Sequence, residues 1–165
     1  MQKRHTDRES YFGEQSQTSK NYYIPYIKEV IGHIPDKVLE VGCGEGGNLL
    51  PFAKAGCRVM GVDIDAMRIE QARTFFAQRH QQGQFIATDI FQLKDKATNF
   101  PLILLHDVIE HIRDKERFLS GLQKHLSADG AVFVGFPAWQ MPFGGHQQIA
   151  DRKSTRLNSS HWLLS

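Results

Sequence analysis

The sequence predicts a doubly wound α/β domain with a mostly parallel sheet, and three observations carry that prediction. Short apolar segments alternate with helical patterns across residues 37 to 136, joined by short links. The segments read as strands one, two, four and five are apolar along most of their length instead of strictly alternating, which suits strands covered on both faces. The first strand runs into the glycine-rich turn VGCGEGG, and in such sheets ligands sit beyond the carboxyl ends of strands at the point where strand order reverses.

Each element follows from local pattern. A helix is expected from Tyr22, where Tyr23, Tyr26, Ile27, Val30, Ile31 and Ile34 fall near a 3.6-residue period. Pro25 suits the first turn of that helix, and Pro35 and Asp36 end it. Strand one is Lys37 to Val41. A helix follows from Asn48, with Gly56 as its C-terminal cap. Strand two is Cys57 to Val62, ending at Asp63. Asp65 caps the next helix, whose Ala66, Ile69, Ala72, Phe75 and Phe76 share a face. Strand three is Gln84 to Thr88 and strand four Leu102 to Leu105. Asp114 caps a helix that turns Phe118, Leu119, Leu122 and Leu126 inward. Strand five is Ala131 to Phe136.

Length and composition bound the function classes. A chain of 165 residues makes one domain with a buried core. We divide it into an N-terminal helical cap (1–36), a ligand-binding core (37–150) and an irregular tail (151–165). The tail, DRKSTRLNSSHWLLS, is read as either a mobile terminus or non-native sequence and is set aside from functional reasoning. No apolar run reaches the ~20 residues of a membrane helix, and MQKRHTDRES lacks the apolar stretch of a secretory signal. No membrane partner is expected. A formal charge of +2 gives no argument for nucleic acid. The two cysteines, Cys43 and Cys57, do not suggest a disulfide framework, so a reducing cytoplasm is expected.

The chemistry concentrates at the first turn. Gly42, Gly44 and Gly47 satisfy G-x-G-x-x-G, the dinucleotide pattern, and a turn entering a helix offers N–H groups to a ligand. Two neighbouring carboxylates redirect that reading. Glu40 lies two residues before the first glycine, where it repels a pyrophosphate and attracts a cation. Asp63 ends strand two, about 20 residues after that glycine, where a carboxylate accepts both hydroxyls of a ribose. The site therefore asks for a ribose and a positive group with no required phosphate. S-adenosylmethionine has both.

The chain resembles the class I (Rossmann-like) S-adenosylmethionine-dependent methyltransferases. VLEVGCGEGG is similar to that family's first motif, GVDID to its second and ATDI to its third; LILLHDVIEHI matches its strand-four segment and LQKHLSADGAVFVGF its helix-to-strand-five segment. These run in the family's order from residue 37 to 136. Pro101 stands where the family often has Asp, and Ser127-Ala128-Asp129-Gly130 replaces its usual Pro-Gly-Gly turn. The resemblance implies a seven-stranded Rossmann-like methyltransferase fold, of which the last two strands, a hairpin, are not found. It also implies roles. The backbone of Gly42, Cys43 and Gly44 borders the methionine moiety, with Glu40 near it through water. Asp63 holds the ribose and Ile64 packs on adenine. Asp89 meets the adenine amino group and Ile90 flanks the ring. Leu105 and His106 line the sulfonium end. Tyr22, Tyr23 or Tyr26 covers the cofactor from the helix before strand one.

Methyl transfer from a sulfonium rests mostly on alignment and desolvation. A hydroxyl or amine acceptor still needs its proton removed, and His106, His111 and His146 are candidate bases, His106 first for its position. The ordinary alternative for each is a polar packing histidine. His106 and His111 share no helix face and no H-E-x-x-H occurs, so no metal is expected; a charge pair of Asp107 with His111 is the simpler reading. Phe136, Trp139, Met141 and Phe143 follow strand five and are expected over a small-molecule acceptor. Two other functions compete: an NAD(P)-dependent oxidoreductase using the same glycines, and a truncated, non-catalytic nucleoside-binding domain. Without the hairpin, strand five is an apolar edge. Self-association through it, or its coverage by the tail, is expected, with weak turnover.

Overall fold

A computed structural model describes residues 7–93 and 98–136 and the strand His161–Leu164. Its strands are β1 (Lys37–Val41), β2 (Arg58–Asp63), β3 (Gln84–Ala87), β4 (Phe100–His106), β5 (Leu126–Gly135) and β6 (His161–Leu164). They form one sheet in the order β3-β2-β1-β4-β5-β6, with β1 to β5 parallel and β6 antiparallel to β5. The chain steps outward from β1 to β2 and β3, then crosses back to β4 on the other side. The order therefore reverses between β1 and β4, and the glycine turn leaves β1 at that point.

Alternate residues of each strand feed two cores. Val38, Leu102, Leu104 and Phe133 face α1 (Arg8–Thr18), α2 (Ile24–Ile31), α3 (Leu50–Lys54) and α4 (Ala66–Gln78). Leu39, Val41, Ile103, Leu105 and Val132 face Phe118 and Leu122 of α5 (Lys115–Leu122). Both faces are covered, so near-continuous apolar strands are what this sheet requires. The predicted caps at Asp65 and Asp114 hold: Asp65 Oδ1 accepts from Met67 N (2.9 Å) and Asp114 Oδ1 from Arg117 N (3.0 Å). Gly56 adopts φ +90° just after α3.

Three expectations need correction. Helix begins at Arg8, not Tyr22, because Asp7 caps a polar α1 whose one fully buried side chain is Phe12. A π-helical turn, Ser19–Tyr23, joins α1 to α2 and places Pro25, which lacks an N–H, in the first turn of α2. Leu126 belongs to β5, not α5. The β4–β5 ladder already opens at Phe100 and Leu126, then shifts register before Leu102 meets Ala131. Finally, the tail is not wholly irregular: His161–Leu164 pairs along Val132–Gly135 and covers that edge of β5. The loop expected over the acceptor (Trp139, Met141, Phe143) and His146 lie outside the described residues.

Candidate active site

The loop after β1 owes its path to left-handed glycines, with φ +71° at Gly42, +51° at Gly44 and +82° at Gly46. Its amides are used internally. Gly42 N and Cys43 N donate to Val62 O (2.8 and 3.0 Å), Gly46 N to Cys43 O (2.8 Å), and Gly44 N to Asp63 Oδ2 (2.8 Å). A 3-10 turn (Gly47–Leu49), not an α-helix, follows directly. The expectation that this turn offers N–H groups to a ligand is thus corrected at these positions, because a pyrophosphate would find those donors taken.

Two buried carboxylates reinforce the point. Glu40 is 1% exposed and accepts from Asn48 Nδ2 at 2.8 Å. Burial pushes its carboxyl up to about 8, aided by Asp63 and opposed by the Asn48 hydrogen bond. Glu45 is equally buried; Arg8 Nη1 lies 2.7 Å from its Oε1 and Arg68 Nε 3.8 Å. Both acids keep a second oxygen, Oε2, with no protein hydrogen bond. Glu40 also predicts a pH dependence. The native state holds a proton that the unfolded chain releases above its ordinary value of 4.5. Stability should therefore fall as pH rises from that value through about 8. Glu40→Gln should flatten this slope in urea melts run between about pH 5 and pH 9; an unchanged slope would assign it to another group.

A cleft of about 520 Å³ opens where β1, β2 and β4 end, a size usual for small-molecule sites. Gly42, Gly44, Asp63, Ile64, Asp89, Ile90 and His106 all line it. Ile64 is 83% exposed, an apolar side chain open to the cleft. Asp63 Oδ1 also accepts from Asp65 N (2.9 Å), so its carboxylate is fixed at the rim. Asp89 accepts from Phe91 N (2.9 Å) and caps the 3-10 turn Ile90–Gln92 as well as facing the cleft. Three expected residues are placed differently. Glu40 and Cys43 lie buried, off the cleft wall, and Leu105 is wholly enclosed in the α5-side core. Burial, then Glu40 and Asp63, holds the Cys43 thiol well above its ordinary range, so it is neither thiolate nor nucleophile.

His106 ends β4 on the face that α1 to α4 cover, where Leu104 also points. Tyr23 Oη lies 2.9 Å from its Nδ1, and Asp107 Oδ2 lies 3.5 Å from its Nε2. His111 sits 3.9 Å from Glu110. Of the three lid candidates, Tyr23 is buried at this contact, Tyr26 packs on Phe133 and Tyr22 points outward. Among the described residues no cluster of three metal-ligating side chains occurs. Residues unforeseen from the sequence also line the cleft: Arg8, Tyr11, Gln15, Glu45 and Arg68. The carboxylate in the glycine turn was visible as a residue. Its arginines come from separate helices, and no sequence spacing announces them.

A methyltransferase domain model matches residues 39–132, more than half of the chain. The chain belongs to the methyltransferase domain family. Curated relatives of this methyltransferase domain include the ubiquinone biosynthesis O-methyltransferases of Bartonella quintana, 32% identical over 68% of this chain and 48% of that protein, and Brucella ovis, 33% identical over 59% and 40%. The domain thus spans about half the length of the curated relatives it matches. Among solved structures, PKMT2 from Rickettsia typhi in complex with AdoHcy superposes with a TM-score of 0.61 at 27% identity, over 73% of this chain and 26% of that one. The plantazolicin methyltransferase BpumL with SAH shares the fold, at TM-score 0.64 and 22% identity over 80% and 50%. Family membership decides against the nicotinamide-dependent alternative.

Proposed function

We propose that the chain binds S-adenosylmethionine in this cleft and transfers its methyl group to an oxygen of a small-molecule acceptor. The observation that carries this reading is the glycine loop: its amides are satisfied internally, and the Asp63 carboxylate stands beside it in the cleft. Such a loop offers a phosphate no donors there and sets a negative charge in its way. Asp63 holds the ribose hydroxyls, Ile64 and Ile90 enclose the adenine, Asp89 meets its amino group, and the backbone of Gly42 to Gly44 borders the methionine end. Glu40 acts on the ammonium through water, the arriving cation favouring its ionised form. When bound, the cofactor supplies an activated methyl on sulfur. The protein's part is to fix it, exclude water and place His106 at the acceptor end.

The matched O-methyltransferases support oxygen as the acceptor atom, and the two buried free cysteines support a reducing, cytoplasmic setting. No helix among the described residues is long and apolar enough to cross a membrane. For self-association, the paired β6 strand competes with a second copy for the β5 edge. The test is calorimetry and thermal shift. S-adenosylhomocysteine at 100 times its Kd should add about 2.7 kcal/mol of stability, and NAD none. Stabilisation by NAD alone would overturn the reading. Binding without transfer of labelled methyl to any member of a panel of hydroxyl-bearing small molecules would make the domain a nucleoside-binding module.

A further inference from the structure

Tyr23 and His106 are brought together by two unusual pieces of backbone. Tyr23 closes the π-helical turn and is 2% exposed, its ring 4.8 Å from that of Phe133. Its hydroxyl meets His106 Nδ1 at 2.9 Å. Across the ring, Nε2 faces Asp107 Oδ2 at 3.5 Å. Asp107 holds φ +53°, a left-handed conformation that non-glycine residues rarely adopt and that gathers at functional sites. Its N–H is tied to Gly135 O at 2.9 Å. Gly135 must be small, because a Cβ there would stand 3.1 Å from His106 Nδ1 and 3.8 Å from the Tyr23 hydroxyl. His106 and Asp107 both line the cleft, their side chains 22% and 18% exposed.

The hydrogen-bond directions follow. Burial first, then the carboxylates of Asp107 and Glu40 and the nearby Tyr11, push the Tyr23 phenol well above its ordinary value, so it keeps its proton and can donate. A neutral imidazole has one acceptor nitrogen and one N–H. The Asp107 carboxylate beside Nε2 only accepts, which places the N–H at Nε2 and leaves Nδ1 to accept from Tyr23. All three groups agree on that tautomer.

We propose that Tyr23 is a positioning residue that holds His106 as the Nε2–H tautomer, so that His106 acts as a hydrogen-bond donor and Asp107 accepts the proton of the methyl acceptor. This rests on the methyltransferase reading. In the step, the acceptor's O–H proton passes to the Asp107 carboxylate. The oxygen forms a bond to the methyl carbon as the carbon–sulfur bond breaks, and the electron pair stays on sulfur. Asp107 becomes the catalytic residue. His106 fixes its carboxylate from one side, and the tie to Gly135 fixes its backbone from the other.

Imidazole nitrogen NMR, at a pH where the ring is neutral, tests the tautomer without cofactor or turnover. The wild-type protein should show His106 protonated at Nε2. Tyr23→Phe, which keeps the ring packing, and Gly135→Ala, whose added Cβ would press on the Tyr23–His106 hydrogen bond from 3.1 Å, should each give a mixture of tautomers. Protonation at Nδ1 in the wild-type protein would overturn the proposal. Turnover of a hydroxyl-bearing small-molecule acceptor found by screening with labelled S-adenosylmethionine tests the role. Asp107→Asn should abolish transfer while S-adenosylhomocysteine affinity stays unchanged. Tyr23→Phe should lower kcat by about tenfold, the worth of one hydrogen bond, with KM for the cofactor unmoved. His106→Gln, which keeps an N–H donor, should retain part of the rate. A fully active Asp107→Asn variant would return the base to His106. A failure of the methyltransferase reading shows itself separately, as absent S-adenosylhomocysteine binding.

Discussion

Asp63→Ala is expected to weaken S-adenosylhomocysteine binding by about 1.5–3 kcal/mol, the range for hydrogen bonds to a charged group. In Kd that is roughly 12- to 160-fold. The carboxylate does two jobs. In the proposed complex it meets the ribose, and in the structure it holds Gly44 N and Asp65 N at 2.8 and 2.9 Å. Removing it should therefore loosen the glycine loop as well as delete the proposed ribose contact. Asp63→Asn separates these effects, since an amide oxygen still accepts one backbone N–H but carries no charge. Calorimetry on both variants should place Asn between wild type and Ala. Wild-type affinity in a folded Asp63→Ala protein would remove Asp63 from the site.

Gly44→Val is expected to abolish cofactor binding while the sheet still forms. At φ +51° a β-branched residue is strained. Its Cβ would point at Arg68 Nη1, 3.5 Å away in the cleft wall, and not into the core. The added side chain therefore stands in the ligand's space. Gly42 provides the contrast, because a Cβ there would drive into Val108 and disturb the packing beyond β4. Circular dichroism should report a native-like Gly44→Val protein, and thermal shift should report no response to S-adenosylhomocysteine. A folded variant that still binds would place the site elsewhere.

What was readable in the sequence was what neighbouring residues determine. The strands, the glycine turn, the caps at Asp65 and Asp114, and the acidic end of β2 each depend on a few consecutive positions, and each is where it was expected apart from the early opening of β5 at Leu126. The cleft's other wall was not readable. Glu45 meets Arg8 across 37 residues, and Tyr23 meets His106 across 83; no periodicity encodes such meetings. α1 was missed because RESYFGEQSQT looks like a solvated loop, yet one buried Phe12 and a cap suffice to hold it. The use of the loop's amides was also hidden. G-x-G-x-x-G states where backbone can bend, not which acceptor its N–H groups will find. Here Val62 O and the Asp63 carboxylate reach them first.

The π-helical turn makes the spacing between Phe12 and Tyr23 a fixed quantity. Each helical residue advances the chain by about 100° around its axis. Side chains of α1 and α2 thus face one core only because Ser19–Tyr23 carries its wider turn. Exposed Lys20 can change its side chain at little cost. One more residue here, beyond what the wider turn already takes up, would swing the whole of α1 a quarter-turn or more about α2, carrying Phe12 out of the core and Arg8 away from Glu45. This stretch tolerates changes of letter but not added length.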